Sequence, residues 1–157
     1  MDETLQNICK LFNTKPEVCA QIIGDSEIHH LRGKVTLYPY KRGSLLVAEI
    51  DGIPFQGFYG FHIHEGGPCI PEEGYTGFYS VGPPFNPEGH PHPYEAGDLP
   101  VLMANFSEAF MIVYTDHFTP SEVLNRTIVI NAWPDDYRSQ PEGDSGGHLG
   151  CGVFQPC

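Results

Sequence analysis

The stretch GFHIHEGG (60–67) sets two histidines two apart in an apolar run, and FNPEGHPHPYEAGDLP (85–100) sets two more in a proline-rich run. If the first stretch is a strand, His62 and His64 project from one face. Neutral imidazoles held that way on a rigid strand clamp a metal such as copper or zinc. His90 and His92 are followed by Glu95 and Asp98. Imidazole and carboxylate together suit a four-coordinate zinc ion. Taken alone, each pair also reads as ordinary structure: a polar strand face in one case, a solvated acidic loop in the other.

The elements that must position these side chains follow from periodicity. Strand patterns fall in eight segments: 17–23, 32–40, 44–53, 57–64, 99–106, 108–115, 126–133 and 147–154. Eight short strands with Gly- and Pro-bearing turns between them predict an all-β antiparallel sandwich or barrel. Leu5, Ile8, Cys9 and Phe12 recur at helical spacing, so 2–13 predicts one short helix, with Asp2 or Thr4 as N-cap. Pro16 stops it from running on. TPSEVLN (119–125) reads as one helical turn, capped by Thr119 with Pro120 in first position. Residues 65–98 and 133–146 fit no strand, and loops of that length are usually functional or disordered. The organisation expected is an N-terminal extension over 1–16 and one domain over 17–157.

A chain of 157 residues is long enough to fold without a metal or disulfide. Its net charge is −12 and it has no basic stripe, which speaks against nucleic acid as a partner. No apolar run approaches the roughly 18 residues of a membrane span. The first residues lack the basic and apolar regions of a secretory signal, so a cytoplasmic location is expected. The five cysteines leave at least one unpaired within the chain, and none sits in a CxxC. Cys19, between Val18 and Ala20, reads as a small buried hydrophobe.

In chain order, Gly-Phe-His-x-His-Glu, Asn-Pro followed by His, Gly-Asp-Leu, Asp-Asp and Cys-Gly-Val resemble the Cu,Zn superoxide dismutases over about residues 17–154, as a divergent bacterial-type member. The resemblance implies an eight-stranded Greek-key β-barrel with two long functional loops; the N-terminal helix lies outside it. The family holds copper with four histidines, and His62 and His64 match the first two. The third, which bridges copper to zinc, is replaced by Pro84, and the fourth by Asn131. Proline has no side-chain donor, and asparagine offers only a weak amide oxygen. The family's zinc takes the bridging histidine, two further histidines and an aspartate. His92 and Asp98 match two of these. Glu95 stands where a histidine is expected and is itself a competent zinc ligand. His90 is an extra candidate nearby.

By the same resemblance, Asp135 is the aspartate that links a copper histidine to a zinc histidine and fixes their orientation. Cys69 and Cys151 are implied to form a disulfide between the zinc-side loop and the last strand. His148 stands in place of the family's substrate-guiding arginine. It has two readings: a solvent-facing histidine, or the third imidazole of a His62–His64–His148 site with Asn131 hydrogen-bonded nearby. The preceding loop carries Asp135, Asp136, Glu142 and Asp144 against one arginine, Arg138. A superoxide enzyme gains encounter rate from a positive funnel, and this loop has the opposite sign. The expectation is a metal-binding relative, with zinc or copper as cofactor and little or no dismutase activity. The alternatives are a weak or altered dismutase or other metal-dependent oxidoreductase, and a metal-free structural or interaction module. The expected partner is a metal ion, with a homodimer as an admissible assembly.

Overall fold

The computed structural model describes residues 2–71 and 78–157. Helix α1 (Glu3–Phe12) starts at Asp2, whose carboxylate accepts the Thr4 backbone N–H at 3.3 Å. Glu3 in its first turn and Lys10 in its last complement the helix dipole. None of its residues is buried, and Phe12 meets the edge of Tyr38 with ring centroids 5.5 Å apart.

The strands are β1 (Val18–Gly24), β2 (Arg32–Tyr40), β3 (Gly43–Asp51), β4 (Gly57–Tyr59), β5 (Phe61–His64), β6 (Leu102–Asn105), β7 (Glu108–Thr115), β8 (Thr127–Asn131), β9 (His148–Val153) and the short β10 (Gln155–Pro156). Each of the eight predicted segments overlaps a strand. The difference is at 57–64, which the alternation reads as one strand and the structure breaks at Gly60. A Cβ there would come within 2.7 Å of Ser145 Cβ, so only glycine allows the bend against the neighbouring loop. The sheet order is β4-β6-β7-β3-β2-β1-β9-β8-β5, with β10 paired to β1. Because β4 and β5 are halves of one bent strand, the sheet nearly closes into a barrel. Strand β3 pairs with β7 and not with β4, the crossover of a Greek key. Residues 120–123 form a 3₁₀ turn with Thr119 and Glu122 in a capping box.

Inward residues fill the barrel: Leu37, Leu46, Phe61, Ile63, Ile128 and Ile130 are fully buried. Burial of each contributes about 1.5–3 kcal/mol. All four residues of β5 are buried. Phe61 and Ile63 belong to the core, whereas His62 and His64 point to the other face and are sealed by the long loops. Residues 85 and 97 of the first long loop lie along β5: Ile63 N–H donates to Gly97 O at 2.9 Å, and Phe85 N–H donates to Ile63 O at 2.8 Å. Segment 133–146 returns to the same region, where Gly60 N–H donates to Trp133 O and Trp133 N–H to Ser145 O. Phe78, Val81, Val129 and Cys151 form a second apolar cluster outside the barrel, with Cys69 packed against it.

Cys69 is joined to Cys151 within that cluster. The reading of Cys19 as an isolated buried hydrophobe is corrected: it is bonded to Cys157, 138 residues away. The cause is the pairing of β1 with β10, which sets Cys19 opposite Gln155 and brings the last residue alongside. Cys9 is the free, exposed cysteine.

Candidate metal centre

Asp135 anchors one half of the site. It follows β8, is almost fully buried, and accepts His62 Nε2–H at 2.7 Å and His92 Nε2–H at 2.8 Å. On its far side, His62 Nδ1 lies 2.8 Å from Asn131 Oδ1. On its far side, His92 Nδ1–H donates to Asp98 Oδ1 at 2.9 Å. The result is a continuous chain of side chains, Asp98–His92–Asp135–His62–Asn131, running from the loop to the barrel wall. Burial pushes the Asp135 carboxyl up, but the imidazole hydrogen bonds outweigh it and hold the group below its ordinary value. Burial pulls His92 down, but its bond to Asp135 and the charge of Asp98 leave it above its ordinary value.

Glu95 completes a cluster with His92 and Asp98, whose ligating atoms all lie within 4.8 Å of one another. Asp98 Oδ2 accepts the Glu95 backbone N–H at 2.9 Å. Burial, and then the neighbouring Asp98 charge, push the Glu95 carboxyl up. His90 does not join them. It lies in a turn, not a strand, so its alternation with His92 does not set both on one face. Its Nε2 meets exposed Glu88 at 2.8 Å instead.

The other half lies beside β5 and β9. His64 Nδ1–H donates to Gly82 O at 2.8 Å, and His148 Nδ1–H donates to Phe78 O at 2.8 Å. The two rings meet edge to face with centroids 5.1 Å apart. Glu142 stands between them, 3.7 Å from His64 Nε2 and 3.9 Å from His148 Nε2. Among the described residues, His64 and His148 cluster with Glu142, while His62 clusters with His92 and Asp135. The solvent-facing reading of His148 is corrected too, since its side chain is only 15% exposed. Glu142 was legible in the sequence only as one more acidic residue in a loop.

The family model for copper/zinc superoxide dismutase matches residues 31–154. The chain belongs to the Cu,Zn superoxide dismutase family. It is 31% identical over 158 residues to the Cu-Zn superoxide dismutase of Deinococcus radiodurans, covering 90% of this chain and 85% of that one. Its fold is similar to that of a SOD-like protein from Bacillus subtilis (TM-score 0.72, 23% identity, 86% of this chain and 96% of that one). It is also similar to the clock protein EA4 (TM-score 0.73, 27% identity, 92% and 97%).

Membership of the Cu,Zn superoxide dismutase family implies copper and zinc, and the two halves of the centre fit them unequally. His92 stands between two carboxylates, with Nε2 on Asp135 and Nδ1 turned toward the point that Glu95 and Asp98 share. One imidazole and two carboxylates around that point fit zinc, with one position left for water. The family's copper set does not fit. Pro84 sits opposite His64 in a backbone bridge and offers no donor. His62 Nδ1 is closed off by Asn131, and His64 Nε2 faces Glu142. Both remaining copper histidines thus have a neighbouring side chain at the nitrogen in question. No helix among the described residues is long and apolar enough to cross a membrane.

Proposed function

We propose that this chain is a metal-binding member of the Cu,Zn superoxide dismutase family that has lost efficient dismutation. The observation that carries the reading is the 2.8 Å contact of His62 Nδ1 with Asn131 Oδ1, which turns a copper donor into part of a hydrogen-bonded wall. Zinc, when bound, supplies a cross-link between the long loop and the barrel, with His92, Glu95 and Asp98 as its ligands. Asp135 orients His92 from behind, as carboxylates do for metal-bound imidazoles. Burial holds His64 below its ordinary pKa, so it stays neutral and does not provide a cation for an anionic substrate. The net charge of −12 adds an unfavourable field for superoxide. The SOD-like protein of Bacillus subtilis and the clock protein EA4 are neighbours in fold whose names do not call them dismutases.

The test is metal loading followed by a superoxide assay. Metal-free protein is titrated with zinc and, separately, with copper, then assayed beside an ordinary family member at matched copper content. Zinc binding that is lost in His92→Ala, with a dismutation rate at least about tenfold below the reference enzyme, supports the reading. A rate within tenfold of the reference, or zinc binding indifferent to His92→Ala, refutes it.

A further inference from the structure

We propose that His64, Glu142 and His148 form a second metal site, taking a divalent first-row transition ion such as zinc through His64 Nε2, His148 Nε2 and the Glu142 carboxylate. Only His64 belongs to the family's copper set. The site shares no ligand with His92, Glu95 and Asp98, so it goes beyond the reading above and does not depend on it.

The argument begins with tautomers. Both histidines donate Nδ1–H to a backbone carbonyl, His64 to Gly82 and His148 to Phe78, each at 2.8 Å. Each ring therefore turns its Nε2 edge toward Glu142. Metal-bound histidines are oriented in this way by a carbonyl or carboxylate behind them. The two imidazoles and the Glu142 carboxylate gather with all ligating atoms within 4.8 Å. Glu142 pairs with His148, and an ion bound here takes the place of that contact. His64 Nε2 is the sharpest sign: its side chain is 1% exposed and the atom has no hydrogen-bond partner among the described residues. Leaving a buried acceptor unpartnered is unfavourable, and a cation at this point satisfies all three groups at once.

The dimensions suit an ion. Ligands in a tetrahedral zinc site with bonds near 2.1 Å stand about 3.4 Å apart. His64 Nε2 is 3.7 Å from one Glu142 oxygen and His148 Nε2 is 3.9 Å from the other, and the three ligating atoms lie within 4.8 Å, so the groups draw together when they close on an ion. Rigid strand β5 supplies His64, and the first residue of β9 supplies His148. The 133–146 loop supplies Glu142, which is 21% exposed, so one side of the ion faces solvent. Two histidines and one carboxylate with an open position is a donor set found with zinc and with non-haem iron.

The test uses the full chain stripped of metal and titrated with zinc, and in parallel with cobalt(II), whose visible absorption reports its ligands. The variants are His148→Ala, Glu142→Gln and His92→Ala, with circular dichroism of each metal-free variant confirming the fold. Two zinc equivalents are expected in the parent. His148→Ala and Glu142→Gln should each weaken one equivalent by more than about 100-fold, beyond what loss of an orienting residue does. They should leave the His92-dependent equivalent intact. If both variants keep two equivalents at parent affinity, or if the parent binds a single equivalent that vanishes only in His92→Ala, the proposal is overturned. A single equivalent that depends on His148 and Glu142 but not on His92 upholds this site and refutes the zinc-side reading.

Discussion

Asn131 stands 2.8 Å from His62, at the place where its family relatives put a copper-binding histidine. The contact does two things. It satisfies the buried Nδ1 of His62, and it removes that nitrogen from the set of free donors. Opposite His64, Pro84 removes another. Restoring both, Pro84→His with Asn131→His, should raise copper(II) affinity by more than the product of the single effects, because ligands of one chelate act together. Competition titrations of the two single variants and the double variant measure this. A double variant no better than the product of the singles would show that the two positions do not face a common ion.

Asp135 holds two buried imidazoles at once. Asp135→Ala leaves both without an acceptor and should cost about 3 kcal/mol in metal-free protein at neutral pH. The measurement is urea denaturation. Zinc affinity should also fall by about 10–100-fold, because His92 loses the group that orients it.

Gly143 lies against the same pair. Its φ is +68°, and a Cβ would come within 1.9 Å of Asp135 Oδ1 and 3.0 Å of His92 Nε2. Gly143→Ala therefore combines backbone strain with a collision and should cost about 2 kcal/mol or more. Gly89 has φ +70° and nothing within 4 Å of the added Cβ. Gly89→Ala should cost only about 1 kcal/mol. Equal losses by denaturant titration would show that the contact with Asp135 contributes nothing.

The disulfides close long loops, Cys19–Cys157 over 138 residues and Cys69–Cys151 over 82. On the chain-entropy account each is worth about 4–5 kcal/mol. Cys69→Ser should have the added effect of releasing the loop that carries Phe78 and Gly82, the residues whose carbonyls orient His148 and His64. Thermal melts with and without reductant measure the first effect. A drop in metal affinity for Cys69→Ser but not Cys157→Ser identifies the second.

Asp136 opens the turn of the 133–146 loop. Its carboxylate accepts the backbone N–H groups of Arg138 and Ser139 and the Ser139 hydroxyl. These bonds, the Ser139 side chain first, pull its pKa down to about 2. The folded value lies below the ordinary 3.8, so the contribution is fully present above about pH 4 and is lost as pH falls through about 2. An NMR titration of the Asp136 carboxyl should show this low midpoint. A midpoint at the ordinary value would mean that the turn does not persist in solution.

Much of the frame was legible in the sequence because it depends on local pattern. Alternation marked the eight strand segments, and Asp2, Thr119 and Pro120 marked the helical starts through short-range capping. His62 and His64 could be placed on one face from their spacing alone, since a strand's side chains alternate regardless of what surrounds it. The order of the motifs was enough to indicate the family and the substitutions at Pro84 and Asn131.

The partners of those side chains were decided only by tertiary structure. His92 and His90 have the same spacing as His62 and His64, yet one is buried against Asp135 and the other meets Glu88 in solvent, because a turn has no fixed period. Cys19 gave no sign of its partner, since strand pairing across the whole chain brings Cys157 to it. Glu142 lies 78 residues after His64 in sequence and reaches it only because Gly60 bends the strand and the 133–146 loop folds back over the bend. The sequence determined which groups could donate to a metal. The long-range packing of two loops on one strand decided which of them share a point in space, because donor convergence depends on contacts between segments that no local pattern encodes.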